Sequence, residues 1–367
     1  MAIKNLVLND IDDIIFISDI HFGAKASMMI EFADDVVDYF DNFFFPLIQS
    51  EINNGFHPIV VVAGDYFDNR QHIDIDIMNR AMDVMEKMSS ICKVYMIIGN
   101  HDMYKERDTS VTSIRIFEKY KNVTIIDDKL SLTIKGNHSF LLSSWNCDRS
   151  NENKMIAKYK DKYDYFVLHT SISGMTYDNG KEIVDGLNLT AMDDSCRIIS
   201  GHIHKRQSNK KAMYLGSPYM IRRSDIGNEK GIYCFRNNSS DNIEVKFYQN
   251  DYSPKYLICK FSDYGKDPEK WKDVVKNNYV YIFFEDGEDK KINVFEFSNQ
   301  LQQYNPRRIF LKSNENKKQD GEEYNYSEES SIEEVFVNQI SQKGLSDKEY
   351  EDCLKLNEDY IKRATEE

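Results

Sequence analysis

Three short apolar runs, at positions 14–18, 59–63 and 94–98, are separated by two longer segments, 27–52 and 74–91, whose apolar residues recur at helical spacing. This alternation predicts an α/β fold of parallel strands with helices packed on the sheet. Each run ends in a polar cluster, and ligands of open α/β sheets bind beyond the carboxyl ends of the strands. From position 123 the pattern turns strand-rich, with runs at 123–126, 130–134, 140–144, 165–169, 197–200, 212–215 and 231–235. A second sheet facing the first is expected to take up these seven runs. The apolar stripes of 27–52 are ordinary core packing.

The pattern changes again near residues 251–254. A strand-helix-strand-helix-strand succession follows to about Lys312, with Trp271 and the run 279–284 as its most apolar parts, and predicts a small α+β accessory domain. Residues 313–331 are polar and acidic and read as a solvated linker. Beyond them Ile332, Val335, Phe336 and Ile340 lie at helical spacing, Gly344 can end that helix, and Ser346 with Glu349 forms a capping box for another. The expected organisation is a catalytic domain at 1–250, the accessory domain at 251–312, the linker at 313–331 and a helical tail at 332–367 whose apolar stripe either packs on the chain's own surface or, as the acidic linker before it favours, docks into a partner. There is no internal repeat.

Five polar clusters carry the chemistry: Asp19-Ile20-His21, Gly64-Asp65-Tyr66-Phe67-Asp68, Gly99-Asn100-His101-Asp102, His169, and Gly201-His202-Ile203-His204. Residues two apart on an extended segment point the same way, so Asp19 with His21, and His202 with His204, can each converge on one side. Glycine before three of the clusters suits a sharp turn with room for an ion or a phosphate. Mixed carboxylate, imidazole and amide donors suit Mn²⁺, Fe or Zn²⁺ better than Ca²⁺, and the absence of thiolates removes a structural zinc site.

In order and composition these clusters resemble the calcineurin-like metallophosphoesterase superfamily, over roughly residues 13–235. The resemblance implies a two-sheet αββα sandwich holding two divalent metals, Mn²⁺ in the first place or Mg²⁺. Asp19, His21, Asp65 and His204 would hold one, and Asp65, Asn100, His169 and His202 the other, with Asp65 shared. The strings Ser18-Asp19-Ile20-His21-Phe22-Gly23 and Tyr214-Leu215-Gly216-Ser217-Pro218 look most like SbcD-type nuclease subunits of double-strand-break repair complexes. Protein phosphatases of the superfamily carry Asp-Arg-Gly and Asn-His-Glu where this chain has Asp68-Asn69-Arg70 and Asn100-His101-Asp102. The implied activity is hydrolysis of DNA phosphodiesters, exonucleolytic on duplex ends and endonucleolytic on single strands. His101 would protonate the leaving 3′-oxygen, and Asp102 would orient its imidazole or raise its pKa. The implied partners are DNA, a second copy of the chain and a coiled-coil ATPase of SbcC type that the tail engages. The alternatives are another phosphoesterase, such as a phosphatase or cyclic-nucleotide phosphodiesterase, and a scaffold that has lost its metals.

A net charge of −14 runs against DNA binding, which rests on Lys and Arg at the phosphates. Seven of the carboxylates fall within 320–334, however, so local basic residues can still face DNA. Those nearest the motifs are Lys25, Arg70, Lys105, Arg107, Lys205, Arg206, Arg222 and Arg223. Six scattered cysteines without a CxxC pair fit reduced thiols in a cytoplasm, the host's if the protein is phage-encoded, as the Asn- and Lys-rich composition suggests. No basic-then-apolar leader opens the chain and no apolar run is long enough for a membrane span, so an unexported protein away from membranes is expected. His57, His72 and His138 fall outside the motifs and are read as structural or surface residues.

Overall fold

Asp13–Ile17, Pro58–Ala63 and Val94–Ile97 are parallel neighbours, with Ile15 beside Val60 and Val62 beside Met96. The computed structural model describes residues 3–25, 29–105, 108–192, 196–237, 243–285 and 287–313. The chain divides into a unit Met1–Leu311 and a second unit Lys312–Glu367. The linker and tail expected at 313–331 and 332–367 therefore lie, Ser313 apart, outside the described residues.

Two large sheets are present. One has six strands in the order Ile243–Gln249, Gly231–Asn237, Asp13–Ile17, Pro58–Ala63, Val94–Ile97, Val123–Ile126. The other has seven, in the order Lys4–Leu8, Lys129–Ile134, Ser139–Ser143, Tyr165–His169, Arg197–Gly201, Ala212–Tyr214, Gln207–Ser208. Two runs expected in the second sheet belong to the first. Val123–Ile126 pairs in parallel with Val94–Ile97, and Gly231–Asn237 runs antiparallel to Asp13–Ile17. Strand pattern marks which face is buried but not which neighbour is paired, so this reassignment had no signal in the local sequence.

Alternation along the strands builds the layers. Ile14, Phe16, Val61 and Ile97 of the first sheet meet Leu132, Phe140, Leu142 and Val167 of the second in a shared core. The opposite face of the first sheet, with Ile15, Ile17, Val60 and Val62, packs against Phe32, Val36 and Met85 of the helices. The opposite face of the second, with Leu141, Phe166 and Ile198, packs on Met155 and Ile156 of the helix Arg149–Tyr159. The result is the expected two-sheet sandwich with helices outside.

The 27–52 helical segment is Met29–Tyr39 and Phe45–Asn53 joined by a wider π turn at Phe40–Phe44. Pro46 supplies the cause: it lacks an N–H, and its ring crowds the preceding turn, so the ladder must open there. The helix Ile75–Ile91 starts at Asp74, whose carboxylate accepts the Asp76 N–H at 2.8 Å.

Residues 256–313 form a three-stranded sheet, Tyr256–Lys260, Tyr279–Phe284 and Arg308–Ser313, with helices Pro268–Val275 and Val294–Gln302. Their core centres on Trp271, Val280, Ile282, Phe297 and Leu301. Tyr279 Oη donates to Asp35 Oδ2 at 2.6 Å and Arg307 pairs with Asp35 Oδ1 at 2.8 Å, tying this sheet to the helix Met29–Tyr39. Among the described residues no helix is long and apolar enough to cross a membrane.

Candidate metal centre

Asp19 and His21 follow Asp13–Ile17, Asp65 follows Pro58–Ala63, and Asn100 and His101 follow Val94–Ile97. His169 closes Tyr165–His169, while His202 and His204 follow Arg197–Gly201. Both sheets thus deliver donors at their carboxyl ends, and all seven predicted ligands meet in one cluster.

The backbone there is bent hard. Asp19, His21 and Asp65 have φ of 54°, 52° and 54°, and His202 has 87°. Left-handed conformations cost non-glycine residues on the order of 1–3 kcal/mol each and persist only where the surroundings fix them. Asp102 is part of that fixing. Its Oδ2 accepts the N–H groups of Asp65 and Gly99, each at 2.9 Å, and its Oδ1 those of Tyr66 at 2.9 Å and Phe67 at 3.2 Å. Glycine is required at 99 because a Cβ there would stand 2.1 Å from Asp65 Oδ1, and at 201 because a Cβ would stand 2.0 Å from Ser18 Oγ.

Asp65 lies between two donor groups. Its Oδ2 is 3.0 Å from His169 Nε2 and 3.7 Å from His21 Nε2. On one side His21 Nε2 faces His204 Nε2 at 3.0 Å, with Asp19 Oδ1 at 4.0 Å. On the other, Asn100 Oδ1 is 3.0 Å from both His169 Nε2 and His202 Nδ1. His169 Nδ1 donates to Ala63 O at 2.8 Å, which leaves Nε2 as a lone-pair donor facing the oxygens of Asp65 and Asn100. Such a convergence of acceptors needs a cation or a shared proton. Two neighbouring donors about 2.1 Å from one ion stand roughly 3 to 3.4 Å apart, so the four 3.0 Å spacings fit divalent metals.

The electrostatics point the same way. Burial opposes charge on His21, yet the hydrogen bond to Asp68 and the charges of Asp65, Asp68 and Asp19 carry its pKa up to about 9. Burial likewise opposes charge on His169, where Asp65 and Asp19 raise the pKa to about 9. Asp65 itself is held well below the usual carboxylate range: burial works against its charge, but His169 and His101 outweigh it. Burial raises Asp19, with Asp65 adding to it. His204 falls well below an ordinary imidazole through burial and the charges of Arg222 and His21.

His101 sits at the edge of the cluster. Its N–H donates to Asp65 Oδ1 at 2.9 Å, its Nδ1 donates to Asp68 O at 2.6 Å, and its ring lies edge-on to His21 with centroids 4.9 Å apart. This corrects one expectation: the Asp68 carbonyl orients the His101 imidazole, while the Asp102 carboxylate is spent on backbone N–H groups. Burial and the Asp65 charge push Asp102 up to about 6, against the pull of the Gly99 and Phe67 N–H groups.

Sequence reading places Asp68 at the end of the second cluster without assigning it a role, and it accepts from His21 Nδ1 at 3.0 Å. It missed Asp178, 3.9 Å from His204 Nδ1, and the contact of Arg222 Nη2 with the same nitrogen at 3.2 Å. Neither stands at a fixed spacing from the motif it serves. Of the basic residues proposed for DNA, Lys25 has its amine buried over the rings of Phe32, Tyr279 and Tyr256 at 4.0, 4.2 and 4.8 Å, which removes it as a phosphate contact. Arg206 is paired with Glu229, and Arg107 lies outside the described residues. His57, His72 and His138 take no part in the cluster.

Among curated proteins, exonuclease subunit 1 of Enterobacteria phage T4 is 25% identical over 175 residues, 47% of this chain and 51% of that protein. A protein named as a phosphoesterase in Invertebrate iridescent virus 3 is 28% identical over 120 residues, 31% of this chain and 30% of its own. The chain thus spans about half the length of the first relative and less than a third of the second. A cold-active protein-tyrosine phosphatase of a psychrophilic Shewanella, 14% identical, aligns over 66% of this chain and 83% of its own at a TM-score of 0.30, a likeness too loose to bear on fold or function. The sequence profile of the calcineurin-like phosphoesterases matches residues 13–206, more than half the chain and every cluster described above. Donors for divalent metals at the ends of two facing sheets and that match lead to one conclusion: the chain belongs to the calcineurin-like phosphoesterase family of metal-dependent enzymes.

Proposed function

We propose that this chain is a two-metal-ion DNA nuclease, the catalytic subunit of an SbcCD-type complex. The observation that carries the two-metal part is Asp65, whose carboxylate stands between the His21 and His169 donor groups, 3.7 and 3.0 Å away. Asp19, His21, Asp65 and His204 would hold one ion and Asp65, Asn100, His169 and His202 the other. When bound, such a pair polarises a phosphate and lowers the pKa of a water. The chain's own residues do the rest. His21 is turned by Asp68, His169 by Ala63 O, and His101, with Nδ1 committed to Asp68 O, keeps Nε2 for proton transfer to a leaving oxygen. The similarity to a phage exonuclease subunit supports DNA as substrate and a multi-subunit assembly. Mn²⁺ is the preferred metal, a coiled-coil ATPase and a second copy are the proposed partners, and the cytoplasm, of the host for a phage protein, is the proposed location. Within the chain we assign residues 1–250 to catalysis, 251–312 to capping, 313–331 to a linker and 332–367 to partner docking.

The test is Mn²⁺-dependent cleavage of labelled linear duplex DNA beside a generic phosphomonoester, with Asp65→Ala as control. Cleavage of DNA that the substitution abolishes supports the nuclease. Turnover of the monoester alone would keep the metal centre and discard the DNA reading. The viral relatives named as phosphoesterases make that second outcome the competing one.

A further inference from the structure

Trp145 belongs to none of the motifs, yet it stands beside the metal centre. Its backbone N–H donates to Ile98 O at 2.8 Å, which ties it to the loop that carries Asn100 and His101. Its ring centroid lies 5.2 Å from that of His202 and 6.0 Å from that of His169. The same indole lines a cleft of about 590 Å³ that reaches the helix Arg149–Tyr159. Ser143, Asn146 and Asn151 give the walls polar groups, and the helix contributes the exposed Lys154 and Lys158, one turn apart, with Lys158 Nζ 4.9 Å from the Tyr159 ring centroid. The carboxylates nearby are already matched. Asp127 pairs with Arg115 at 2.6 Å, Asp128 with Lys129, and Glu152 accepts from Thr170 Oγ1 at 2.8 Å. What the cleft offers a ligand is therefore an aromatic ring beside His169 and His202 and two lysines on the helix Arg149–Tyr159.

That volume falls in the range of small-ligand sites, and this combination of a ring and lysines matches one chemistry. A nucleobase stacks on an aromatic ring whatever its sequence, while lysines take the phosphates of the backbone. We propose that this cleft receives the nucleoside next to the scissile phosphate, its base against Trp145 and the following phosphate against Lys154 and Lys158. This inference rests on the nuclease reading above. It gives the enzyme a reason to prefer nucleotides over other phosphodiesters that the metals alone do not supply.

The experiment compares two single-stranded oligonucleotides, identical except that one carries abasic sugars at the two nucleotides flanking the cleaved bond. Base stacking of this kind is worth about 1–3 kcal/mol, roughly 5- to 150-fold. The parent protein in Mn²⁺ should therefore show a kcat/KM at least about fivefold higher on the intact strand. Trp145→Ala should abolish that preference, Trp145→Phe should retain most of it, and Lys154→Ala with Lys158→Ala should raise KM on both strands. If Trp145→Ala loses its metals, measured by metal content, Trp145→Ile keeps an apolar wall beside His202 without a ring and repeats the comparison. A parent enzyme indifferent to the missing bases, or a ring-less variant that keeps the preference, overturns the proposal. A parent protein that cleaves neither strand but hydrolyses bis(p-nitrophenyl) phosphate instead sinks the nuclease reading and takes this inference with it.

Discussion

The Asp102 carboxylate accepts the backbone N–H of Asp65 at 2.9 Å, so a residue with no place among the metal donors sets the position of the one that both donor groups share. Each oxygen of Asp102 serves two N–H groups, four in all, at a fully buried position. Asparagine at 102 would turn an NH₂ toward two of those donors and leave them unsatisfied, at about 1–3 kcal/mol each. Asp102→Asn should lower the unfolding free energy by roughly 2–6 kcal/mol by that count. It should also weaken metal binding, because the left-handed turn at Asp65 loses its anchor. Urea unfolding with metal titration of the same variant checks both. Unchanged stability would mean that the turn holds itself.

Why are the seven candidate donors legible in the sequence when Asp102's task is not? Branched apolar runs such as Pro58–Ala63 announce strands, and a polar cluster straight after them can lie only at a strand end. The donors Asp19, His21, Asp65, Asn100, His169, His202 and His204 inherit their convergence from the sheets. Asp102, Asp178, Arg222 and Trp145 act across loops, where no period links a residue to its target. For the same reason the pairing of Val123–Ile126 and Gly231–Asn237 went astray: their burial was readable, their neighbours were not. The strand Lys4–Leu8, half exposed at the sheet edge, offered too little contrast to be read at all.

His101 can be separated from the metal donors by the leaving group. With Nδ1 held by Asp68 O, its Nε2 is the atom left to give a proton to a departing alkoxide. General acid help is worth about 10²- to 10⁴-fold for such poor leaving groups and little for one that departs without a proton. His101→Gln should lower kcat on DNA by that factor and leave metal content unchanged. On bis(p-nitrophenyl) phosphate, whose phenolate needs no acid, the loss should stay below about tenfold. Equal losses on the two substrates would assign His101 to holding Asp65 through its N–H instead.

Lys25 gives the folded protein a pH dependence that the donors do not share. Burial lowers its pKa to about 7, and Asp35 and Asp225 only partly oppose this. Below pH 7 the amine is charged in both folded and unfolded chains. Between pH 7 and the unfolded value near 10.5 the unfolded chain binds the extra proton, so stability rises with pH there. The gain is at most about 1.4 kcal/mol per pH unit. Lys25→Met should remove this rise. Denaturant unfolding of both proteins at pH 7 and pH 9 gives the difference directly, and parallel pH profiles would place Lys25 in water.

Behind His204 lies a second anchor, and its removal should act on one metal before the other. Lys230 Nζ pairs with Asp225 Oδ1 at 2.6 Å and donates to Ser217 Oγ and His204 O, each at 2.8 Å. Asp225 is fully buried and Lys230 nearly so. Deleting one member of such a pair leaves a buried charge without a counterion and costs about 3–5 kcal/mol. Asp225→Ala should therefore destabilise the protein by about that amount, whereas Asp225→Ala combined with Lys230→Met should recover part of it, because no orphaned charge remains. The single variant leaves Lys230 without the carboxylate that holds it in place and the double variant removes its donor to His204 O, so both should bind the ion of the Asp19, His21 and His204 group less tightly. The ion of the Asn100, His169 and His202 group has no contact with this anchor and should be retained. Metal titration in which the two ions are lost together would show instead that Asp65 couples them more strongly than the backbone beneath His204 separates them.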